Sequence, residues 1–284
     1  MKSFGGIEDK YSNYNTASVL LQSIPYDGTT TWGKGSDKAF EAFIEASENM
    51  ELYDIETDSE VYLKGIHTLD PIDEKSSPES VYSAVYSKTK DLIKTGKFLT
   101  FLGGEHSVSI GIIKAYYENY DNLTVLQLDA HADLRKSYLG SKYNHACALH
   151  DASLNTNLIQ VGIRSMDKCE KQYLEKENCF FAQDIKPSNE WIDSSISKMT
   201  DKVYLTIDLD VFDPSIMPAT GTPEPGGLDW DTVINYLHCV FQQKEIVGFD
   251  IVELAPIKNL THPNFLTSKL YYKLLSYKYK YNAK

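Results

Sequence analysis

The chain has 284 residues, 42% hydrophobic and 24% charged, the profile of a soluble globular protein with room for one large α/β domain or two small ones. A formal net charge of −12 argues against a nucleic-acid partner, which needs a basic surface, and favours metal ions and cationic substrates. No apolar run reaches the roughly 18 residues of a transmembrane helix, and the N-terminus Met1-Lys2-Ser3-Phe4-Gly5-Gly6 lacks the apolar core of a secretory signal, so no membrane is expected and the compartment is read as cytoplasmic.

Taken in order, residues 19–23 are predicted as a first strand, followed by a turn-rich loop over 24–30. Such loops at strand ends carry ligands in α/β proteins. Ser36 is the predicted N-cap of a helix over about 37–50, with Phe40, Phe43 and Ile44 at helical spacing. A second helix opens between Ser76 and Glu79 and runs to about Lys94. Residues 98–102 form a short apolar run closed by Gly103-Gly104, the mark of a buried strand, and a helical pattern through Ile113 and Tyr117 follows. Further strands are predicted at 123–128, 159–163, 203–207 and 246–251, with helices at about 191–199, 230–241 and 267–277. Apolar strands alternating with helices predict an α/β fold, a parallel sheet covered on both faces. No repeat or linker divides 1–284, so a single domain is expected, and the Lys/Tyr-rich 277–281 is predicted to fray without a task.

The four cysteines, Cys147, Cys169, Cys179 and Cys239, form no CxxC pair, which leaves zinc-finger and thioredoxin readings without support. A Cys169–Cys179 disulfide stays open, with reduced thiols expected in a cytosolic chain. Of the 28 basic residues only Arg135 and Arg164 are arginine. Lysine serves everywhere else, so these two positions are candidates for places that need a planar, bidentate fork.

Four of the predicted strands end in residues that do not belong in a core. The first of them leads to His106, the next to Asp129, His131 and Asp133, the third to Asp208 and Asp210, and the last to Glu253. Residues i, i+2 and i+4 of an extended strand share a face, so Asp129, His131 and Asp133 are expected to project together. In open α/β sheets ligands bind beyond the carboxyl ends of the strands, where these residues fall. Buried without compensation, each charge would cost roughly several kcal/mol, and a divalent cation supplies that compensation. Four aspartates and two histidines are too oxygen-rich for a structural zinc site. They suit a pair of divalent ions with mixed O/N ligation, manganese being the natural candidate. Two such ions share a hydroxide made from water near neutral pH, which is a nucleophile. Two dications against four carboxylates and a hydroxide leave a slightly negative centre that welcomes a cationic electrophile and repels phosphate.

Gly103-Gly104-Glu105-His106-Ser107, Asp129-Ala130-His131-Ala132-Asp133 and Asp208-Leu209-Asp210-Val211-Phe212-Asp213-Pro214 resemble the metal signatures of the ureohydrolases, the family of arginase and agmatinase. The resemblance runs from Pro25-Tyr26-Asp27-Gly28 through Gly221-Thr222-Pro223-Glu224-Pro225-Gly226-Gly227 to Asp250-Ile251-Val252-Glu253, nearly the whole chain in the expected order. It implies a single three-layer α/β domain with an eight-stranded parallel sheet, two Mn2+ per subunit, and homo-oligomers. It also implies that His106 and Asp133 hold one ion and His131 and Asp210 the other, with Asp129 and Asp208 bridging. Glu253 would pair with a substrate guanidinium, and His145 would shuttle protons. A metal-bridging hydroxide would then attack the guanidinium carbon, releasing urea and an amine. A carboxylate can bind guanidinium through two charge-assisted hydrogen bonds, and histidine titrates near the pH at which a departing amine is protonated.

The segment Leu134-Arg135-Lys136-Ser137-Tyr138-Leu139-Gly140 lacks the Asn/Thr-rich pattern with which arginases grip an amino-acid carboxylate. Agmatine, giving putrescine and urea for polyamine biosynthesis, is therefore the preferred substrate, with aminopropylagmatine close behind and arginine or guanidinobutyrate as further alternatives. Arg135 either pairs with a substrate carboxylate or is held by a neighbouring acid. Ala219 and His150 depart from the family pattern and bear on substrate range, whereas His67, His238 and His262 match nothing and are read as ordinary surface or core residues. A metal-bound but non-catalytic relative would have no need of His145 and Glu253. A deacylase or phosphoesterase is disfavoured by Glu253 and by the charge of the centre. Gly103-Gly104 is followed by neither GxGxxG nor GKS/T, so it is no phosphate loop.

Overall fold

The predicted strands form where the apolar runs lie: β1 (Val19–Ile24), β3 (Phe98–Gly103), β4 (Thr124–Leu128), β5 (Asn157–Ile163), β7 (Lys202–Asp208) and β8 (Glu245–Val252). Two edge strands of three residues, β2 (Ile66–Thr68) and β6 (Cys179–Phe181), complete an eight-stranded sheet. The structure, a computed structural model, describes residues 2–185 and 189–282. Every pairing is parallel, in the order β2-β1-β3-β8-β7-β4-β5-β6. All residues of β1 and β4 are buried, as a sheet covered on both faces requires.

The covering helices are α1 (Asp9–Ser12), α2 (Ala39–Ser47), α3 (Pro78–Ile93), α4 (Val108–Tyr117), α5 (His150–Asn155), α6 (Ala182–Ile185), α7 (Glu190–Ser197), α8 (Trp230–Gln243) and α9 (His262–Tyr281). Phe43, Ile192, Leu237 and Tyr271 of α2, α7, α8 and α9 pack on one face of the sheet. Val85, Ile112 and Ala152 of α3, α4 and α5 pack on the other. The result is a three-layer α/β domain. Local signals fix the helix starts: the Ser77 side chain accepts from the Ser80 N–H with Pro78 in the first turn, and Asp229 accepts from Thr232. Each such cap is worth about 1 kcal/mol. Ser36, by contrast, makes no side-chain cap, because a 3₁₀ turn over Ser36–Lys38 precedes α2.

The C-terminal stretch overturns the expectation of fraying. α9 continues through Tyr281, and Tyr271, Tyr272 and Tyr277 are fully buried. Tyr277 donates to Glu56 (2.8 Å), and Lys278 donates to the Ile246 carbonyl (2.7 Å). The Asn282 side chain donates to Phe241 O and Lys244 O at the end of α8 and accepts from Ile246 N at the start of β8. Lysines in this stretch lie along the helix by their apolar stems, which masks its buried face in the sequence. All four cysteines are free thiols, so Cys169 and Cys179 do not pair. Among the described residues no helix is long and apolar enough to cross a membrane.

The strand order places β3, β8, β7 and β4 side by side at the centre of the sheet. Their carboxyl ends are where His106, Glu253, Asp208 and Asp129 follow. Parallel strands bring four sequence-distant chain ends to one edge, the position at which such sheets bind ligands.

Candidate active site

All six metal-capable side chains converge beyond that edge, but not by strand alternation. β4 stops at Leu128, so Asp129, His131 and Asp133 lie in the following loop, and Asp133 has a left-handed φ of 53°. Asp210 lies in a 3₁₀ turn (Leu209–Val211) whose N–H donates to the Asp208 side chain (2.9 Å). The loop is held in shape by two amides inside the sheet. Gln127 donates to Asp129 Oδ2 (2.7 Å) and to His131 O (3.1 Å), while Gln160 donates to Gln127 Oε1 (2.6 Å) and Ala132 O (3.0 Å). Ala130 N–H donates to Asp210 Oδ1 (2.9 Å), tying the two carboxylate loops together.

His106 is completely enclosed. Its Nε2 lies 3.1 Å from Thr206 Oγ1, and the Thr206 hydroxyl donates to Asp250 Oδ1 (2.6 Å). Tyr204 and Ser109 also donate to Asp250. With its one hydrogen committed to Asp250, Thr206 accepts from His106, so Nε2 carries a proton and Nδ1 is the nitrogen turned to the carboxylates; burial would lower the imidazolium, but Asp129, Asp133 and Asp208 hold it well above its ordinary value. Nδ1 has no hydrogen-bond partner, yet Asp129 Oδ2, Asp133 Oδ2 and Asp208 Oδ2 stand 3.1, 3.1 and 3.3 Å away. An imidazole nitrogen facing three carboxylate oxygens is an arrangement that a shared cation, a proton or a metal ion, satisfies. On the other side of Asp129, His131 Nδ1 lies 2.8 Å from Asp210 Oδ2 and 3.7 Å from Asp129 Oδ1. Two groups thus have the geometry to hold a metal ion, His106–Asp129–Asp208 and Asp129–His131–Asp210, with Asp129 common to both.

The electrostatics agree. Burial, then Asp210 and Asp133, push the Asp129 carboxyl up to about 7. Burial and the neighbouring Asp210 and Asp129 hold Asp208 well above the carboxylate range. Burial would lower His131, but Asp210, Asp129 and Asp133 outweigh it and raise the imidazolium to about 11. Burial likewise opposes the ionised Asp210, and His131 reverses the balance, bringing it to about 2. In the metal-free protein, protons take up part of the charge that divalent ions would neutralise.

Glu253 follows β8 with φ 68°, its N–H donating to Gly104 O (2.8 Å) and its Oε1 accepting from His106 N (2.8 Å). Burial and then the Glu105 charge raise its carboxyl well above the usual range. Only glycine fits at 104, where a Cβ would stand 1.9 Å from the Tyr26 carbonyl. A cavity of about 290 Å³ opens over the cluster and is lined by His131, Asp208, Asp210, Glu253, His145 and Arg135, among others. His145 begins a 3₁₀ turn (His145–Cys147), with Asn144 accepting from Ala146 N. Arg135 is held by an acid: its guanidinium lies 3.4 Å from Asp167 Oδ2 and 4.6 Å over the Tyr138 ring. Arg164 fans out over backbone carbonyls, donating to Gly162, Asp210, Val211, Phe212, Glu224 and Pro225. It pins the Asp210 turn to the 224–225 loop, a task for which a lysine has too few donors.

Several residues escaped the sequence reading: Gln127, Gln160, Thr206 and Asp250, together with Glu105 and Thr29. For the first four the available signal was a polar side chain inside a strand that is otherwise apolar on both faces, whereas Glu105 and Thr29 lie in loops and carry no such signal.

The arginase-family model matches residues 17–276. The chain is 36% identical to the N(1)-aminopropylagmatine ureohydrolase of Synechocystis, over 94% of this chain and 90% of that protein. It is 32% identical to the enzyme of the same name from Thermus thermophilus, covering 95% and 93%. Its fold superposes on the agmatine ureohydrolase of Thermoplasma volcanium with a TM-score of 0.87 at 29% identity, covering 99% and 96%. With a sheet, a carboxylate-histidine cluster and this likeness over nearly its whole length, the chain belongs to the arginase family.

Proposed function

We propose that this arginase-family hydrolase cleaves the guanidinium of a polyamine precursor to urea and a free amine, with aminopropylagmatine as its main substrate. Agmatine, which the sequence motifs favoured, takes second place. The observation that carries the reading is the cavity wall itself. Beyond the carboxylates assigned to metal, Asp167, Glu170 and Glu253 line it, and its single guanidinium, Arg135, is already engaged by Asp167. Such a wall attracts a multiply cationic chain and offers little to the carboxylate of arginine or guanidinobutyrate. The additional aminopropyl arm gives aminopropylagmatine one more ammonium than agmatine, and both relatives named above carry its name.

His106 and Asp133 would hold one divalent ion and His131 and Asp210 the other, with Asp129 and Asp208 between them. The oxygen-rich donor set suits manganese. Ions bound there would supply a water acidic enough to act as a nucleophile near neutral pH. The protein's own groups do the rest. Glu253, kept in place by the His106 N–H, presents its carboxylate to the guanidinium and fixes the orientation of the reacting carbon. His145, on the cavity wall, delivers a proton to the departing amine. The buried Asp250–Thr206–His106 chain holds Nε2 and leaves Nδ1 as the metal-facing nitrogen. A homo-oligomer belongs to the same reading.

Urea release from aminopropylagmatine, agmatine, arginine and guanidinobutyrate by the manganese-loaded protein tests this. The expected order of kcat/KM is that order. No urea from any of the four, with metal verified as bound, would remove the hydrolase reading, and preference for arginine would remove the polyamine reading.

A further inference from the structure

Glu105 is fully buried beside the cluster, and neither metal binding nor the guanidinium uses it. Three hydroxyls and one backbone N–H point donors at it, and the Glu253 carboxyl lies near it. Thr29 N–H donates to Oε2 (2.7 Å), the Thr29 hydroxyl to Oε1 (2.7 Å) and Oε2 (2.8 Å), and the Thr30 hydroxyl to Oε2 (3.3 Å), with Ser107 completing the set. The Thr29 hydroxyl has a single hydrogen, and it is directed at the carboxylate. On its other side it accepts from the His145 backbone N–H (3.0 Å) and lies 3.1 Å from His145 Nδ1. A hydroxyl whose hydrogen is already committed can only accept from the imidazole. Nδ1 of the neutral ring therefore carries the proton, and Nε2 is the nitrogen left for the cavity that His145 lines.

We infer that Glu105, acting through Thr29, is a positioning device for His145: it fixes the ring's orientation and its Nδ1–H tautomer, so that all proton exchange with the substrate runs through Nε2. The arrangement parallels the Asp250–Thr206–His106 chain on the other side of the site. In both, a buried carboxylate orients a threonine hydroxyl, which orients an imidazole. Thr29 comes from the loop after β1 and Glu105 from the turn after β3, so the device also ties these two loops together. It rests on the proposed role of His145 as proton carrier for its purpose, though not for its geometry.

The test uses the full chain, loaded with zinc to avoid paramagnetic broadening and labelled with ¹⁵N-histidine, and reads the His145 tautomer from two-bond ¹⁵N–¹H correlations. The wild type is expected to show neutral His145 protonated on Nδ1. Thr29→Val should shift the population to Nε2–H and lower kcat of the manganese enzyme about tenfold or more, the scale of acid–base catalysis, with KM within about twofold. Thr29→Ser, which keeps the hydroxyl, should restore both. Should the valine variant not fold, Glu105→Gln gives the same readout, because an amide donor frees the Thr29 hydrogen to turn toward Nδ1. An Nε2–H wild type, or a tautomer unmoved by loss of the hydroxyl or of the carboxylate, overturns the inference. Full turnover in His145→Asn would instead overturn the proton-carrier role, leaving the tautomer measurement to decide the positioning.

Discussion

His106 and His131 stand on either side of Asp129, yet they are built into the protein in different ways. His106 is 1% exposed, its Nε2 held by Thr206 and Asp250, and three carboxylates surround its Nδ1. The His131 side chain is 23% exposed on the cavity wall, and its outer nitrogen lies 3.8 Å from the partly exposed Glu224. The inner half is prepared by buried hydrogen bonds in the sheet, whereas the outer half is prepared by charge and stays open to solvent. An inner ion held this way should exchange slowly and an outer ion quickly, because outer-shell partners tune affinity most where they are fixed and desolvated.

Removing what the two halves share gives the largest effect. Asp129→Ala should lose both ions and reduce turnover to background, as measured by elemental analysis beside urea release; retention of two ions would mean that Asp129 is not common to the halves. Glu253→Gln belongs to neither half. It should keep both ions and lower kcat/KM by about a hundredfold or more, the scale of a lost charge-assisted contact in a transition state. Thr206→Val separates the halves, weakening the inner ion about 10–100-fold while leaving the outer one unchanged in calorimetric titration.

The dependence on pH follows from the protons that the metal-free cluster holds. Asp129 at about 7 and His131 at about 11 must both lose a proton before they can bind a cation. Metal affinity should therefore rise as pH rises through 7 and fall as the solution is acidified, with proton release visible as a buffer-dependent heat. An affinity that is flat between pH 6 and pH 8 would contradict the charge distribution described here. The smallest effect is expected from Glu224→Gln, which removes a solvent-screened neighbour of His131 and should weaken only the outer ion, about fivefold at most.

Legibility in the sequence follows the same division. The six cluster residues and Glu253 are readable because charged side chains terminate apolar runs, a pattern that a core cannot use, whereas His145 follows a polar loop and is reached only through the family resemblance. The six longer strands are readable for the same local reason. The short edge strands β2 and β6 are not, since three residues such as Ile66–Thr68 carry no periodicity of their own. α9 escaped beyond Tyr277 because its lysines alternate with tyrosines, and only packing against β8 and the 54–57 turn shows which of them are buried.

Local sequence carries the ingredients: an α/β chain whose apolar strands lead to four aspartates, two histidines and a glutamate. Tertiary structure decided how that chemistry is assembled. The order β3-β8-β7-β4 puts residues more than a hundred positions apart within hydrogen-bond reach, as with His106 N and Glu253, and the left-handed turn at Asp133 brings that carboxylate to His106. It also decided that Arg135 faces Asp167 and that Thr29 stands between Glu105 and His145. Hydrophobic periodicity reports which face of a segment is buried, and it is silent on which distant segment will lie beside it. That choice is made by packing, and the positions of the polar groups follow from it.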